Sequence, residues 1–283
     1  MLKLKMTSKK VLGIIFSIFL VFSYLLNKAP ENGLVVYALD IGQGDAILIK
    51  TEDDKYVLVD GGPDEKVLKE LQDIIPYWQR TLDLVILTHP DQDHVGGLEY
   101  VLDYYDVKNV VYHPIEHDTK SYENFKKKAE EHNIENYELR DSDDFQLGCC
   151  TYFDILWPEE GMELKQFEED ANDISISFVL MSREFSMFFG GDLPSKYEEK
   201  IFAENIYDLD AIKVGHHGSR SSTSQKFLEL TKPEYAVISV GENNRYGHPT
   251  DEVLNNLEEA DVEVYRTDKS GRIELQVDER INE

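Results

Sequence analysis

Basic residues are scarce in this chain of 283 residues, where 29 Lys and Arg stand against 56 Asp and Glu for a formal net charge of −27. A protein that grips a long nucleic-acid duplex neutralises phosphates with a basic patch, and the composition leaves little for one. The deficit weighs against duplex DNA more than against a small phosphate ester, because bound dications make a site locally positive even on an acidic surface. The acidic residues concentrate in 116–144 and 159–173, where they read as solvated helix faces and loops. Cysteine is nearly absent. The two present, Cys149 and Cys150, are adjacent, and in a strand their side chains would point to opposite faces, which disfavours a vicinal disulfide. Neither matches a zinc-binding spacing, so two free, mostly buried thiols are expected. Internal repeats and low-complexity tracts are also missing, as is any second long apolar run, which excludes a multi-span membrane architecture.

The one long apolar run, residues 11–26, follows Lys3, Lys5, Lys9 and Lys10. Roughly sixteen apolar residues is short for a membrane span and long for a signal-peptide core, so length does not decide. Asn27-Lys28-Ala29-Pro30 is a poor Ala-x-Ala cleavage site, further spoiled by its proline. An uncleaved, single-pass signal anchor is therefore expected, with residues 1–10 a basic cytoplasmic end, 11–26 the membrane helix and 27–33 a linker. The positive-inside rule then puts the remainder outside the cell. A cleaved, secreted form is the alternative. Residues 34–280 are ample for one large core.

Chemistry is densest at Thr88-His89-Pro90-Asp91-Gln92-Asp93-His94-Val95-Gly96-Gly97, directly after the apolar residues 84–87. The apolar run reads as a buried strand, which would deliver His89, Asp91, Asp93 and His94 to its carboxyl edge. Mixed nitrogen and oxygen donors suit zinc, manganese or iron rather than calcium. Any one of these residues alone would read as a solvated turn residue; four within six positions read as a metal loop. The signal recurs where Phe188-Phe189-Gly190-Gly191-Asp192 and Ile212-Lys213-Val214-Gly215-His216-His217-Gly218-Ser219 close two further apolar runs, so three strand ends could converge on one site.

Taken with Leu39-Asp40-Ile41-Gly42-Gln43-Gly44-Asp45-Ala46, Leu58-Val59-Asp60-Gly61-Gly62 and Tyr246-Gly247-His248-Pro249, these words resemble a metallo-β-lactamase-fold hydrolase. Within that superfamily the chain is most similar to the hydrolase domain of ComEC-like competence proteins, over residues 34–277. The resemblance implies an α/β (α+β) fold, an αββα sandwich of two mixed sheets with outer helices, here preceded by the amino-terminal membrane helix. It implies two divalent metal ions, zinc or manganese. His89 and Asp91 match the ligands of one metal, Asp93 and His94 those of the other, and Asp192 the bridging carboxylate. One of His216 and His217 completes the site, the other binding substrate or supporting a ligand. Asp91 stands where many superfamily members carry His, which hardens the first site and brings manganese into contention beside zinc. A further family histidine is missing: its place falls at Ala171-Asn172-Asp173, where Asn172 could orient substrate, Asp173 could act as ligand, or either could simply cap a turn.

The implied reaction is phosphodiester hydrolysis by a metal-activated hydroxide, with Asp93 orienting the water and His248 protonating the leaving group or binding a phosphate oxygen. Asp40, Gln43, Asp45, Asp60 and Ser219 are expected to brace the site or meet substrate. Three readings stay open: a nuclease related to DNA uptake, an esterase for a small phosphoester of the phosphocholine kind, and a catalytically degenerate surface binding module. The phosphoester, with DNA as one candidate, and the membrane are the expected partners, and nothing specifies a protein partner.

Between these words, strands are expected at 34–39, 46–50, 55–60, 84–87, 150–156, 174–181, 185–189, 235–239 and 262–265. Helices are expected at 64–75, 95–105, 122–132, 195–205, 224–230 and 251–259. Meanders in the first half and alternating strands and helices in the second suit two packed mixed sheets.

Overall fold

Apolar residues on both faces of most strands demand cover on both sides, and the fold supplies it as four layers. The structure, a computed structural model, describes residues 33–167 and 170–277. The anchor expected at 11–26 lies outside the described residues, and among those described no helix is long and apolar enough to cross a membrane.

The first sheet has seven strands in the order Ile273–Gln276, Val35–Ala38, Ile47–Lys50, Tyr56–Val59, Leu84–Ile86, Asn109–Val111 and Glu135–Tyr137. Its first four strands pair antiparallel and the remaining pairings are parallel. The second sheet also has seven, in the order Glu263–Arg266, Tyr235–Ile238, Ala211–Lys213, Phe185–Phe189, Ser177–Ser182, Thr151–Trp157 and Phe145–Leu147. It repeats the scheme, with an antiparallel meander from Phe145–Leu147 to Phe185–Phe189 and parallel pairing beyond.

Side chains alternate across each strand, and that period sorts them into three cores. Leu84 and Ile86 join Ile47, Ile49, Phe178 and Phe189 between the sheets, while Val85 and Leu87 face outward. There they meet Val67 and Leu71 of helix Lys66–Ile74, Val101 of helix Leu98–Tyr104 and Phe125 of helix Lys120–Glu131. Phe188, pointing opposite to Phe189, packs under helices Ser195–Glu204, Gln225–Thr231 and Asp251–Glu259 through Phe202, Phe227 and Val253. The αββα sandwich of two mixed sheets is therefore the architecture.

Four local expectations change. The helix expected at 95–105 is two pieces, Gln92–Val95 and Leu98–Tyr104, parted at Gly96-Gly97. A Cβ on Gly96 would sit 2.1 Å from Pro63 O, and one on Gly97 would sit 2.0 Å from Gly61 O. Only glycine lets the donor loop press so closely on the turn after Tyr56–Val59. The strand expected from 174 starts at Ser177, because Ala171–Ile174 forms a 3₁₀ turn. Strands Asn109–Val111, Glu135–Tyr137, Phe145–Leu147 and Ile273–Gln276 were not expected. Cys149 and Cys150 are free, but Cys149 is exposed and Cys150 half-buried, since they lie in the turn before Thr151–Trp157 and not within the strand.

Candidate metal centre

Three parallel-paired strands, one in the first sheet and two in the second, end at the same place, and the loops they feed carry the chemistry. Leu84–Ile86 leads to His89 and, through the short helix Gln92–Val95, to Asp93 and His94. Phe185–Phe189 leads to Asp192, and Ala211–Lys213 to His216 and His217. The two histidines adopt consecutive left-handed conformations, with φ of 46° and 54°. Non-glycine residues pay strain for that geometry, and here it turns two neighbouring rings toward one carboxylate.

That carboxylate is Asp192. Its Oδ1 lies 3.4 Å from His94 Nε2, and its Oδ2 lies 3.5 Å from His216 Nε2, 3.6 Å from His217 Nε2 and 4.0 Å from His89 Nε2. His217 Nε2 is also 3.4 Å from Asp93 Oδ2, and His89 Nε2 is 3.7 Å from Asp91 Oδ2. Two donors that share a tetrahedral zinc at ~2.0–2.1 Å stand about 3.4 Å apart, so these separations fit ligands around a cation better than hydrogen-bonded pairs.

The tautomers point the same way. His217 Nδ1 is 3.0 Å from Ser239 O, which can only accept, so Nδ1 carries the proton. Asp60 accepts from the Thr88 amide and hydroxyl, each at 2.8 Å, and lies 2.8 Å from His94 Nδ1, which therefore donates. Because the Thr88 hydroxyl gives its proton to Asp60, it must accept from His89 Nδ1 at 3.0 Å. In the neutral form each of these three imidazoles keeps its proton on Nδ1 and turns the Nε2 lone pair toward Asp192. The Nε2 atoms of His89, His94 and His217 and Oδ1 of Asp192 are all buried without a hydrogen-bond partner. Without a cation such an arrangement is repulsive; with one it is satisfied, and the groups His89-His94-Asp192 and Asp93-His94-His217 could each hold a metal ion.

Behind these donors lies an ion pair that the sequence reading half anticipated. Asp45 meets the Lys213 ammonium, and both side chains are almost wholly buried. Burial works to raise the Asp45 pKa, yet Lys213 and His217 bring it down to about 2. The pair ties the loop after Val35–Ala38 to strand Ala211–Lys213, and so one sheet to the other.

Other expected residues fall less evenly. Asp60 and Asp45 brace the donors as described, and Gln43 Oε1 accepts from the Gly241 amide at 3.2 Å. His248 is half-buried and edge-on to His216, with ring centroids 5.9 Å apart. Ser219 Oγ accepts from Ser221 N at 3.3 Å, below the His216 ring that Ser221 Oγ approaches at 3.2 Å. Asn172 keeps a buried, unpartnered Oδ1. Asp173 Oδ2 is taken by Lys196 at 2.9 Å and by the Tyr197 hydroxyl at 2.8 Å, which leaves it bound away from the donors. Asp40 is exposed and makes no described hydrogen bond or ion pair to them. Sequence reasoning missed Thr88, Lys213, Ser239, His117 and Ser175, whose Oγ accepts from the Asp192 amide at 3.2 Å. Only Thr88 and Lys213 lie inside the motifs, and neither is a metal-ligand type.

Fold and donor set together define a candidate metal centre of the metallo-β-lactamase kind. The metallo-β-lactamase superfamily model matches residues 39–150, and the chain carries a domain of that superfamily. It is 30% identical to ComE operon protein 3 of Bacillus subtilis over 93% of this chain and 35% of that protein. It is 31% identical to Recombination protein 2 of Haemophilus influenzae over 91% of this chain and 31% of that protein, and 30% identical to competence protein ComA of Neisseria gonorrhoeae over 89% and 34%. The chain thus spans about a third of the length of these curated relatives. Among solved structures, the metallo-β-lactamase fold protein YhfI from Bacillus subtilis superposes with a TM-score of 0.59 at 13% identity, over 87% of this chain and all of that one. The diiron β-hydroxylase CmlA from Streptomyces venezuelae superposes with a TM-score of 0.57 at 13% identity, over 88% and 55%. The fold by itself therefore does not select a reaction.

Proposed function

We propose that the chain hydrolyses phosphodiester bonds with two divalent cations, zinc or manganese. Asp93, His94, His217 and Asp192 would hold the inner one, and His89, Asp91 and Asp192 the outer. The observation that carries this reading is the set of buried Nε2 atoms without hydrogen-bond partners gathered on Asp192. When bound, such cations polarise a phosphoryl oxygen and lower the pKa of a water. Asp93 would orient that water from the rim of the inner group. His216, with part of its ring exposed, would face the substrate beside His248. Burial, and then the neighbouring His216, lower the His248 pKa, which favours a neutral ring that hydrogen-bonds a phosphate oxygen over an imidazolium that delivers a proton. Arg245, on the same loop, adds a guanidinium against the Tyr246 ring at the edge of this wall.

The competence-related relatives favour DNA as the substrate and a role in its uptake. The charge of −27 favours the second reading, a small phosphoester such as a phosphocholine ester. We further propose that residues 11–26 tether the domain to the outer face of a membrane, with secretion as the alternative. Protein carrying manganese or zinc should turn over bis-p-nitrophenyl phosphate. Cleavage of single-stranded DNA as well supports the nuclease, and turnover of p-nitrophenylphosphocholine without DNA cleavage supports the esterase. No turnover of any of these by metal-loaded protein would leave only the binding module.

A further inference from the structure

The outer donor group contains one member that the fold does not bury. The Asp91 side chain is 40% exposed, against 4% for Asp192. One oxygen, Oδ2, faces His89 at 3.7 Å, and the other, Oδ1, lies 3.3 Å from His117 Nε2. His117 sits in the loop between strand Asn109–Val111 and helix Lys120–Glu131, outside every motif of the sequence. Its protonation is fixed by its neighbours. The Thr119 amide approaches His117 Nδ1 at 3.4 Å, and an N–H can only donate, so Nδ1 accepts. The Thr119 hydroxyl, 2.8 Å from the same nitrogen, reinforces that state. The proton of the neutral ring is then on Nε2, the nitrogen that lies 3.3 Å from Asp91 Oδ1. The ring is held as well as protonated: its edge meets Tyr122 at a centroid distance of 6.5 Å, and the Tyr122 hydroxyl donates to His113 O at 2.6 Å.

We propose that His117 is a positioning residue: its Nε2–H pins one oxygen of Asp91 so that the other faces the outer cation position, and it thereby sets the affinity of that position. This rests on the reading of His89, Asp91 and Asp192 as donors. A carboxylate exposed on its outer side turns freely into water unless something holds it, and a cation that binds the free rotor must first order it. The inner imidazoles have no such need, because Asp60 and Ser239 O already fix them, and the Asp93 carboxylate of that group is less exposed than Asp91, at 30%. His117 is a donor to a ligand and not a ligand itself, since its only proton-free nitrogen is turned toward Thr119.

The test is calorimetric titration of manganese into the metal-stripped chain, with bound metal counted by mass spectrometry and turnover of bis-p-nitrophenyl phosphate followed in parallel. The native chain should show two classes of site. His117→Ala should weaken one class about 10–100-fold and leave the other unchanged. His117→Gln, whose carboxamide N–H can occupy the place of Nε2–H, should recover most of that loss. Thr119→Val, which keeps the amide and drops the hydroxyl, should lose less than His117→Ala. Equal affinities in His117→Ala and the native chain would overturn the proposal, as would equal weakening of both classes in a variant that melts like the native chain. Failure of the native chain to bind manganese or zinc at all would instead sink the dinuclear reading on which the proposal rests.

Discussion

The inner and outer donor groups share Asp192 but are built differently. Two inner imidazoles, His94 and His217, are fully buried, and each is backed by an acceptor that is itself buried or part of the main chain, Asp60 or Ser239 O. Of the outer group, His89 and the shared Asp192 are enclosed, whereas Asp91 opens to solvent with His117 behind it, and the neighbouring His216 is likewise part-exposed with the Ser221 hydroxyl behind it. A donor whose partner is locked pays its ordering cost during folding, and a donor at the rim pays it on binding. The inner group is therefore the one to expect filled first, and the outer group the one where substrate and water exchange.

Asp192→Ala should break the comparison outright, because both groups lose the carboxylate they share; metal analysis should find neither cation retained and turnover should vanish. Asp45→Asn strikes the floor beneath the inner group, leaving the Lys213 ammonium buried and unpaired. Urea melts should show a loss of about 3–5 kcal/mol, since uncompensated buried charge is costly. A loss below 1 kcal/mol would mean that the pair is not sealed from water. Next in size, Asp60→Asn should weaken the tighter of two manganese affinities about 10–100-fold while the weaker one moves less. His217→Ala should lower that same affinity, whereas His216→Ala should raise KM with little change in metal content. Equal effects of the two would erase the inner and outer distinction.

The smallest expected effect concerns Glu198, whose buried carboxylate accepts from the Thr223 amide at 2.7 Å and lies against Gly215, the residue before the histidine pair. Burial raises its pKa from 4.5 to about 8, against the Thr223 hydrogen bond and the Lys213 charge. A carboxyl raised in the folded state contributes fully at pH values below its ordinary value, and the contribution is lost as pH rises through about 8. Glu198→Gln should flatten the fall in stability between pH 5 and 8 and gain on the order of 2 kcal/mol at pH 9. A pH profile parallel to that of the native chain would refute the burial argument.

Much of this was legible because the donors are local in sequence even where they are distant from one another. His89, Asp93 and His94 occupy one loop behind an apolar strand, and Asp192 and the histidine pair each follow another, so strand ends alone predicted convergence. Which of His216 and His217 is the enclosed ring was not legible. It depends on two left-handed residues and on where Ser239 O happens to lie, neither of which a sequence records. His117 and Lys213 were missed for opposite reasons. His117 stands alone in an acidic loop and carries no motif, whereas Lys213 hides in an apolar run where a lysine reads as a strand end reaching water. Short strands such as Asn109–Val111 offer three residues to a period of two, too few to distinguish from loop, and are strands because Leu84–Ile86 supplies the ladder. Gly96-Gly97 read as the tail of a motif, and its packing role needed the position of Pro63 and Gly61.

The pairing of the first described strand, Val35–Ala38, with the last, Ile273–Gln276, sets Val35 opposite Gln276, and the Val277 amide donates to Leu34 O at 2.9 Å. The fold is thus entered and left at a single edge, by two strands that carry none of the donors. Such a unit is a cassette. It can be carried within a longer polypeptide, or have its flanks exchanged, with only two adjacent seams to heal and no catalytic group displaced.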